Sequence, residues 1–233
     1  MLGSKQIVTL EGNIGSGKST TLNLLKQKVK CKNFVFAAEP VEDFSTCQFG
    51  DLVYNPLEEF YLNPHENACA FQFWINRCYS RQLEKITKEC MFKNHFLFDR
   101  GIYSSSVFIK ALTKQGFLSD FSSELLLHEV NETIYKYYGG DKIFGTNRLY
   151  YLDTPIDVCL RRIQSRSRKG EVDTKNLRDQ LVCIHNEYEK YIDNFINLHG
   201  VYSFRRFYHE DENEVANDLQ RFITKFNKCQ LFN

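Results

Sequence analysis

The densest chemistry in this sequence lies between Gly12 and Ser19. Gly12, Asn13, Ile14, Gly15, Ser16, Gly17, Lys18 and Ser19 fit the pattern G-x-x-x-x-G-K-S/T, with Thr20 following and Gly15 as an additional glycine. Glycines let the backbone curl until several N–H groups face one phosphate. The amino end of the helix that the loop feeds also favours an anion. In that frame Lys18 reaches the β- and γ-phosphates of a nucleoside triphosphate, and the Ser19 hydroxyl ligates Mg²⁺. A strand-like run before the loop and a helical pattern after it separate this reading from an incidental Gly-rich turn. The loop predicts phosphate binding and, alone, nothing narrower.

Other residues carry the acceptor half of such a reaction. Glu39 precedes Pro40, which keeps it extended at a strand end. A carboxylate there can take the proton of an acceptor hydroxyl as a phosphoryl group is transferred; standing alone it would read as a solvated loop glutamate. Gln72, Ile75 and Tyr79 fall at i, i+3 and i+7 and share one helix face. Core packing accounts for a stripe of this kind, and for Ile75 in particular. A buried Gln72 amide needs partners, however. Its carbonyl and NH₂ pair with O4 and N3–H of thymine or, turned over, with N3 and N4–H₂ of cytosine. No N-K-x-D segment is present, which argues against a GTPase.

Arg161, Arg162, Arg166, Arg168 and Lys169 form the densest basic cluster, with Arg162 and Arg166 at i, i+4 on one face. A solvated basic face is the plain reading. The cluster follows the turn Asp153-Thr154-Pro155, where P-loop kinases carry a lid. Arginines delivered by a closing lid stabilise charge on the transferring group and exclude water.

These side chains must be positioned by alternating strands and helices. Five short apolar runs, 6–10, 34–38, 96–98, 149–152 and 201–207, predict buried strands. Helical patterns over 19–29, 65–91, 121–138, 155–166, 174–198 and 212–226 separate them. Such alternation predicts an α/β fold: a parallel, doubly wound five-stranded sheet with helices on both faces. In such sheets ligands bind beyond the carboxyl ends of the strands. The predicted strands end in the glycine loop, in Glu39, in Asp99-Arg100 and in Asp153, four polar ends expected on one rim.

Composition sets the outer bounds. A length of 233 residues with 42% hydrophobic residues predicts one domain over 1–233, with its lid at about 162–172. The net charge of +1 gives no electrostatic case for nucleic acid or membrane partners. No apolar run of membrane-spanning length occurs, and the first strand begins too early to leave room for a leader peptide. Eight scattered cysteines without a C-x-x-C pair predict reduced thiols and a cytoplasmic protein.

Taken together, the chain resembles the deoxynucleoside kinase family that includes deoxycytidine, deoxyguanosine, mitochondrial thymidine and insect multisubstrate kinases. The resemblance runs over residues 7–171 and more loosely to 226. It implies a P-loop kinase using ATP and Mg²⁺, with Glu39 as the general base for the 5′-hydroxyl. Asp99-Arg100 matches the family's acid–arginine pair, the acid placing Mg²⁺ and the arginine holding the 5′ end and phosphates. Gly101 departs from the serine usual there.

The resemblance maps Tyr61, eleven residues before Gln72, onto the sugar 3′-hydroxyl, with Glu171 as its partner. Phe44 and Phe71 match aromatics around the base, and Arg162, Arg166 and Arg168 match lid arginines. Tyr79 and Ser105 stand where deoxycytidine and deoxyguanosine kinases carry an Arg/Asp couple, so the charged couple is missing. That absence implies thymidine as a good substrate and deoxycytidine as a second. The loop near 209–211 corresponds loosely to the donor-base region and names no residue there. A homodimer through the helices over 65–91 and 121–138 is implied as well. Two rivals share the loop: a thymidylate-type monophosphate kinase, whose second strand ends in Glu-Pro-Gly rather than Glu39-Pro40-Val41, and a non-catalytic binding subunit of the same fold.

Overall fold

The computed structural model describes residues 2, 5–29, 33–90, 92–139, 147–166, 177–208 and 211–229, with side chains through 221. Five strands form one parallel sheet: β1 (Gln6–Gly12), β2 (Phe34–Ala37), β5 (His95–Asp99), β6 (Arg148–Leu152) and β7 (Phe204–Phe207). They lie in the order β2-β5-β1-β6-β7, with β1 paired to β5 on one side and to β6 on the other. The central strands are near-continuous apolar runs because both faces are covered: Ile7, Leu10, Phe96, Phe98 and Leu149 are all buried.

Helices form the two covering layers. On one face α1 (Lys18–Lys28) packs with α9 (Glu212–Cys229) over Val8, Leu10, Leu97 and Tyr150. On the other lie α4 (Pro64–Glu89), α5 (Ser104–Lys114), α6 (Asp120–Tyr138) and α8 (Leu177–His199). Helix starts follow local chemistry. Asn55 caps α3 (Pro56–Leu62) by accepting from Glu58 N–H, with Pro56 in the first turn, and Ser119 caps α6 by accepting from Ser122 N–H. The helix α7 (Ile156–Arg166) follows β6.

Three departures from the sequence-based expectation have physical causes. The run 201–207 splits, with Val201–Ser203 as a single 3₁₀ turn and only Phe204–Phe207 in the sheet, because Gly200 breaks the chain at φ 79. Between β2 and α4 lie a short helix α2 (Val41–Phe44) and a hairpin of β3 (Cys47–Phe49) and β4 (Leu52–Tyr54). Its Phe49, Leu52 and Val53 are exposed, so its apolar residues carry no inside–outside alternation. Finally, α5 begins with Ser104, Ser105 and Ser106, which hide a helix start behind poor helix formers. Among the described residues, no helix is long and apolar enough to cross a membrane.

Candidate active site

The glycine loop joins β1 to α1 at the carboxyl rim of the sheet. Gly17 precedes α1 at φ 96 with no side-chain cap, so the first N–H groups of the helix stay available to an anion. Gly15, at φ 78, backs onto α7: a Cβ there would lie 2.7 Å from Cys159 O. The Thr154 hydroxyl ties the loop down by donating to Ser16 O at 3.0 Å, and Asn13 Nδ2 donates to Leu181 O at 2.7 Å. Lys18 is buried, its ammonium donating to Gly12 O, Asn13 O and Ser16 Oγ at 3.0, 2.7 and 3.1 Å. Burial and then the nearby Arg100 charge lower its pKa from 10.5 to about 8.

Beside the loop, Ser19 Oγ donates to Asp99 Oδ2 at 2.6 Å. Asp99 Oδ1 is buried and has no hydrogen-bond partner among the described residues. Burial and then the Glu39 charge push the Asp99 carboxyl above its ordinary range. A hydroxyl and an unpartnered buried carboxylate oxygen fit a hard divalent cation that draws its remaining ligands from phosphates and water. No cluster of three or more His, Cys, Asp or Glu suited to a metal occurs among the described residues.

Glu39, just beyond β2, accepts from Arg100 Nη1 at 2.8 Å and from the Tyr79 hydroxyl at 3.5 Å. Arg100 also donates to Gly12 O at 2.9 Å, and its guanidinium sits 4.8 Å from the centre of the Phe108 ring. Burial and then the Glu39 charge raise the Tyr79 phenol well above its usual value, keeping it a neutral donor.

A cavity of about 390 Å³ runs from this loop into the interior. Gly15 to Thr20, Glu39, Arg100, Arg162 and Arg166 line it, together with Phe44, Tyr61, Phe71, Gln72, Ile75, Tyr79 and Ser105. Phe60 stacks on Phe71 at 4.8 Å and Phe44 meets Tyr79 edge-on at 5.7 Å, forming flat apolar walls. Against those walls Gln72 Oε1 and Ser105 Oγ are buried without partners among the described residues. Such a slot accepts a planar ring that brings its own hydrogen-bonding edge.

The described candidate site residues thus lie around one cavity or in the loop beneath it, except Asp99, which is absent from the lining and reaches the loop through Ser19. Arg168 and Glu171 lie outside the described residues, as do 209–210. One strand end departs from expectation. The Asp153 carboxylate accepts from Arg206 Nη1 at 2.9 Å and is absent from the cavity lining. An arginine one strand over, on β7, takes it up.

Four contributors escape sequence reasoning. Glu11, inside β1, is buried beneath the loop and bonded to Ser104 and Tyr188. Gln115 places another unpartnered buried oxygen, Oε1, on the cavity wall. Glu212, at the start of α9, pairs with Arg162 at 2.6 Å. Phe108 backs Arg100.

The fold and this cavity define a phosphoryl-transfer enzyme of the P-loop kinase class. More narrowly, the chain belongs to the deoxynucleoside kinase family, whose profile matches residues 8–228. It is 26% identical over 196 residues to a probable deoxycytidine kinase of Fowlpox virus, covering 82% of this chain and 74% of the viral protein. It is also 25% identical over 181 residues to the NADH dehydrogenase 1 alpha subcomplex subunit 10 of Bos taurus, covering 74% of this chain and 51% of that one. Among solved structures, a deoxyadenosine kinase from M. mycoides with bound dCTP superposes with a TM-score of 0.70, covering 96% of this chain and 100% of that one. At 17% identity that likeness concerns the fold. The chain is accordingly a deoxynucleoside kinase.

Proposed function

We propose that this kinase transfers the γ-phosphoryl group of ATP to the 5′-hydroxyl of a pyrimidine deoxynucleoside, thymidine foremost and deoxycytidine second. The observation carrying this reading is the Glu39–Arg100 pair, which lines one cavity together with the glycine loop and Gln72. The acceptor oxygen forms a bond to the γ-phosphorus, the bond to the β–γ bridging oxygen breaks, and ADP leaves. The hydroxyl proton passes to Glu39. Arg100 holds the carboxylate in place and reaches the loop by donating to Gly12 O. Ser19 and Asp99 would hold Mg²⁺ together with the phosphates, where it would supply charge neutralisation. Lys18, Arg162 and Arg166 stabilise charge on the transferring group, with Arg168 assigned the same role from the family pattern.

Base selection follows from the slot. Gln72 reads the pyrimidine edge, while Phe44 and Phe71 flank the ring plane. Tyr61 holds the 3′-hydroxyl, with Glu171 assigned the same task from the family pattern. Ile75, Tyr79 and Ser105 present no charge to the base, which leaves room for a 5-methyl group. The product is a deoxynucleoside monophosphate, so the reaction belongs to cytoplasmic salvage of DNA precursors. The working unit is a homodimer through α4 and α6, whose Phe73, Phe121, Leu125 and Tyr135 are exposed in the single chain.

A panel assay decides this reading: ATP-dependent phosphorylation of thymidine, deoxycytidine, deoxyadenosine and deoxyguanosine, with Glu39→Ala as the control. Clear preference for deoxyguanosine overturns the pyrimidine assignment, and transfer only to thymidine monophosphate overturns the acceptor. The likeness to a subunit of NADH dehydrogenase favours one second reading, a non-catalytic member of the fold. That reading predicts nucleotide binding without transfer to any member of the panel.

A further inference from the structure

Glu11 is a carboxylate that the reaction above does not use, yet it is wholly buried in β1 one residue before the loop. Its oxygens accept from three donors, with the single Ser104 proton shared between both oxygens. Ser104 Oγ donates to Oε1 and Oε2 at 2.6 and 2.7 Å, the Gly101 amide donates to Oε1 at 3.1 Å, and the Tyr188 hydroxyl donates to Oε2 at 3.1 Å. The donors belong to three pieces of chain: the residue after Arg100, the first turn of α5, and α8. A buried carboxylate is costly unless its lone pairs are filled, and here they are filled by groups that frame the active site.

Arg100 shows what this framing does. It is the only non-glycine with a positive φ among the described residues, at 61°. A bulky residue keeps that conformation only where its surroundings over-determine it. Consecutive residues of β1 hold the two amides in question: Arg100 N–H donates to Leu10 O at 3.1 Å, and Gly101 N–H donates to Glu11 Oε1. Between those two anchors the chain turns sharply, and the guanidinium swings to Glu39 Oε1 and Gly12 O.

We infer that Glu11 is a positioning residue, which locks the left-handed turn at Arg100 and so aims the guanidinium at Glu39 and the phosphate loop. The inference rests on the phosphotransferase reading of the site. It gives the sequence pair Glu11-Gly12 a second task beside the glycine's own: the carboxylate fixes the far side of the cavity while the loop fixes the near side.

Steady-state kinetics of Glu11→Gln and Glu11→Leu, with ATP and both thymidine and deoxycytidine, test it. Glutamine keeps an oxygen for Gly101 N–H and should hold kcat within about threefold of wild type, whereas leucine removes the acceptor and should lower kcat about a hundredfold. KM for ATP and for the nucleoside should move less than about threefold, because the loss falls on the transition state rather than on binding. A purely structural role would shift melting temperature and leave the kcat of the folded fraction alone. Wild-type kcat in folded Glu11→Leu, or equal losses in both variants, overturns the positioning role. If Glu11→Leu does not fold, Ser104→Ala replaces it, with an expected kcat loss of about tenfold at unchanged KM; an unchanged kcat there overturns the role too. A wild-type chain that phosphorylates neither nucleoside overturns the function and this role with it. An active wild type with an indifferent Glu11→Leu overturns this role alone.

Discussion

Arg100 Nη1 donates to Glu39 Oε1 at 2.8 Å, joining two side chains that are 7% and 14% exposed. The partners follow different strands, β2 and β5, which are adjacent in the sheet, so the pair is a product of strand order. A buried pair of this kind is held in place by the cost of separating it. Glu39→Gln should therefore act twice. Loss of the proton acceptor lowers kcat by about 10²- to 10⁴-fold. Leaving Arg100 without its counter-charge lowers stability by about 3 kcal/mol. Turnover measurements and denaturant melts on the same protein check both.

Lys18 gives a signed pH dependence. Its pKa is lowered from 10.5 to about 8, so between those values the unfolded chain holds a proton that the folded chain has released. Stability contributed by this group therefore rises with pH across that window and is flat below it. Bound phosphates reverse the shift by favouring the ammonium form. ATP binding at pH 9 should take up a proton, at most about one, and binding at pH 6.5 should not. Calorimetry in buffers of different ionisation enthalpy measures this, and Lys18→Ala should abolish the difference.

Gln72 separates stability from recognition. Its Oε1 is buried and unpartnered among the described residues, so Gln72→Leu removes a desolvated acceptor that the fold does not use. The melting temperature should hold or rise, by the equivalent of about 1 kcal/mol. Over the same change, kcat/KM for thymidine and deoxycytidine should fall about a hundredfold.

Arg166 lines the cavity together with the glycine loop. Arg166→Ala should lower kcat by about a hundredfold while changing nucleoside affinity less than about threefold. Equilibrium binding of thymidine, measured beside the kinetics, distinguishes this from a general loss of the site.

Glu212 has the opposite sign. Its carboxylate pairs with Arg162 at 2.6 Å, and it sits so close to the loop that a Cβ on Gly17 would lie 2.6 Å from Oε1. A negative charge there opposes a triphosphate and occupies an arginine that could meet it. Glu212→Gln should lower KM for ATP by about threefold to tenfold, the scale of a partly exposed ion pair. A rise in KM would show that Glu212 holds Arg162 in its working position instead.

Much of this site can be read from spacing alone, because the relevant geometry is local. A loop that curls, a proline that holds Glu39 extended, and three side chains on one face of α4 all follow from backbone preferences within a few residues. Glu11 resists such reading because Ser104 and Tyr188, its partners, are 93 and 177 residues away. Gln115 resists it because a glutamine after a helix end gives no sign that its oxygen will be buried.

Asp153 and Glu39 show the division most plainly. Both stand just past a strand and look alike in sequence. The sequence by itself determined the phosphate loop, the alternation of strands and helices, and the rim on which polar residues would gather. Only the tertiary structure decided which acid serves the cavity. Glu39 faces Arg100 across neighbouring strand ends, whereas β7 brings Arg206 to Asp153 and takes it out of the site. Strand order sets which opposite charge is near, and a carboxylate at low dielectric goes to the nearest one.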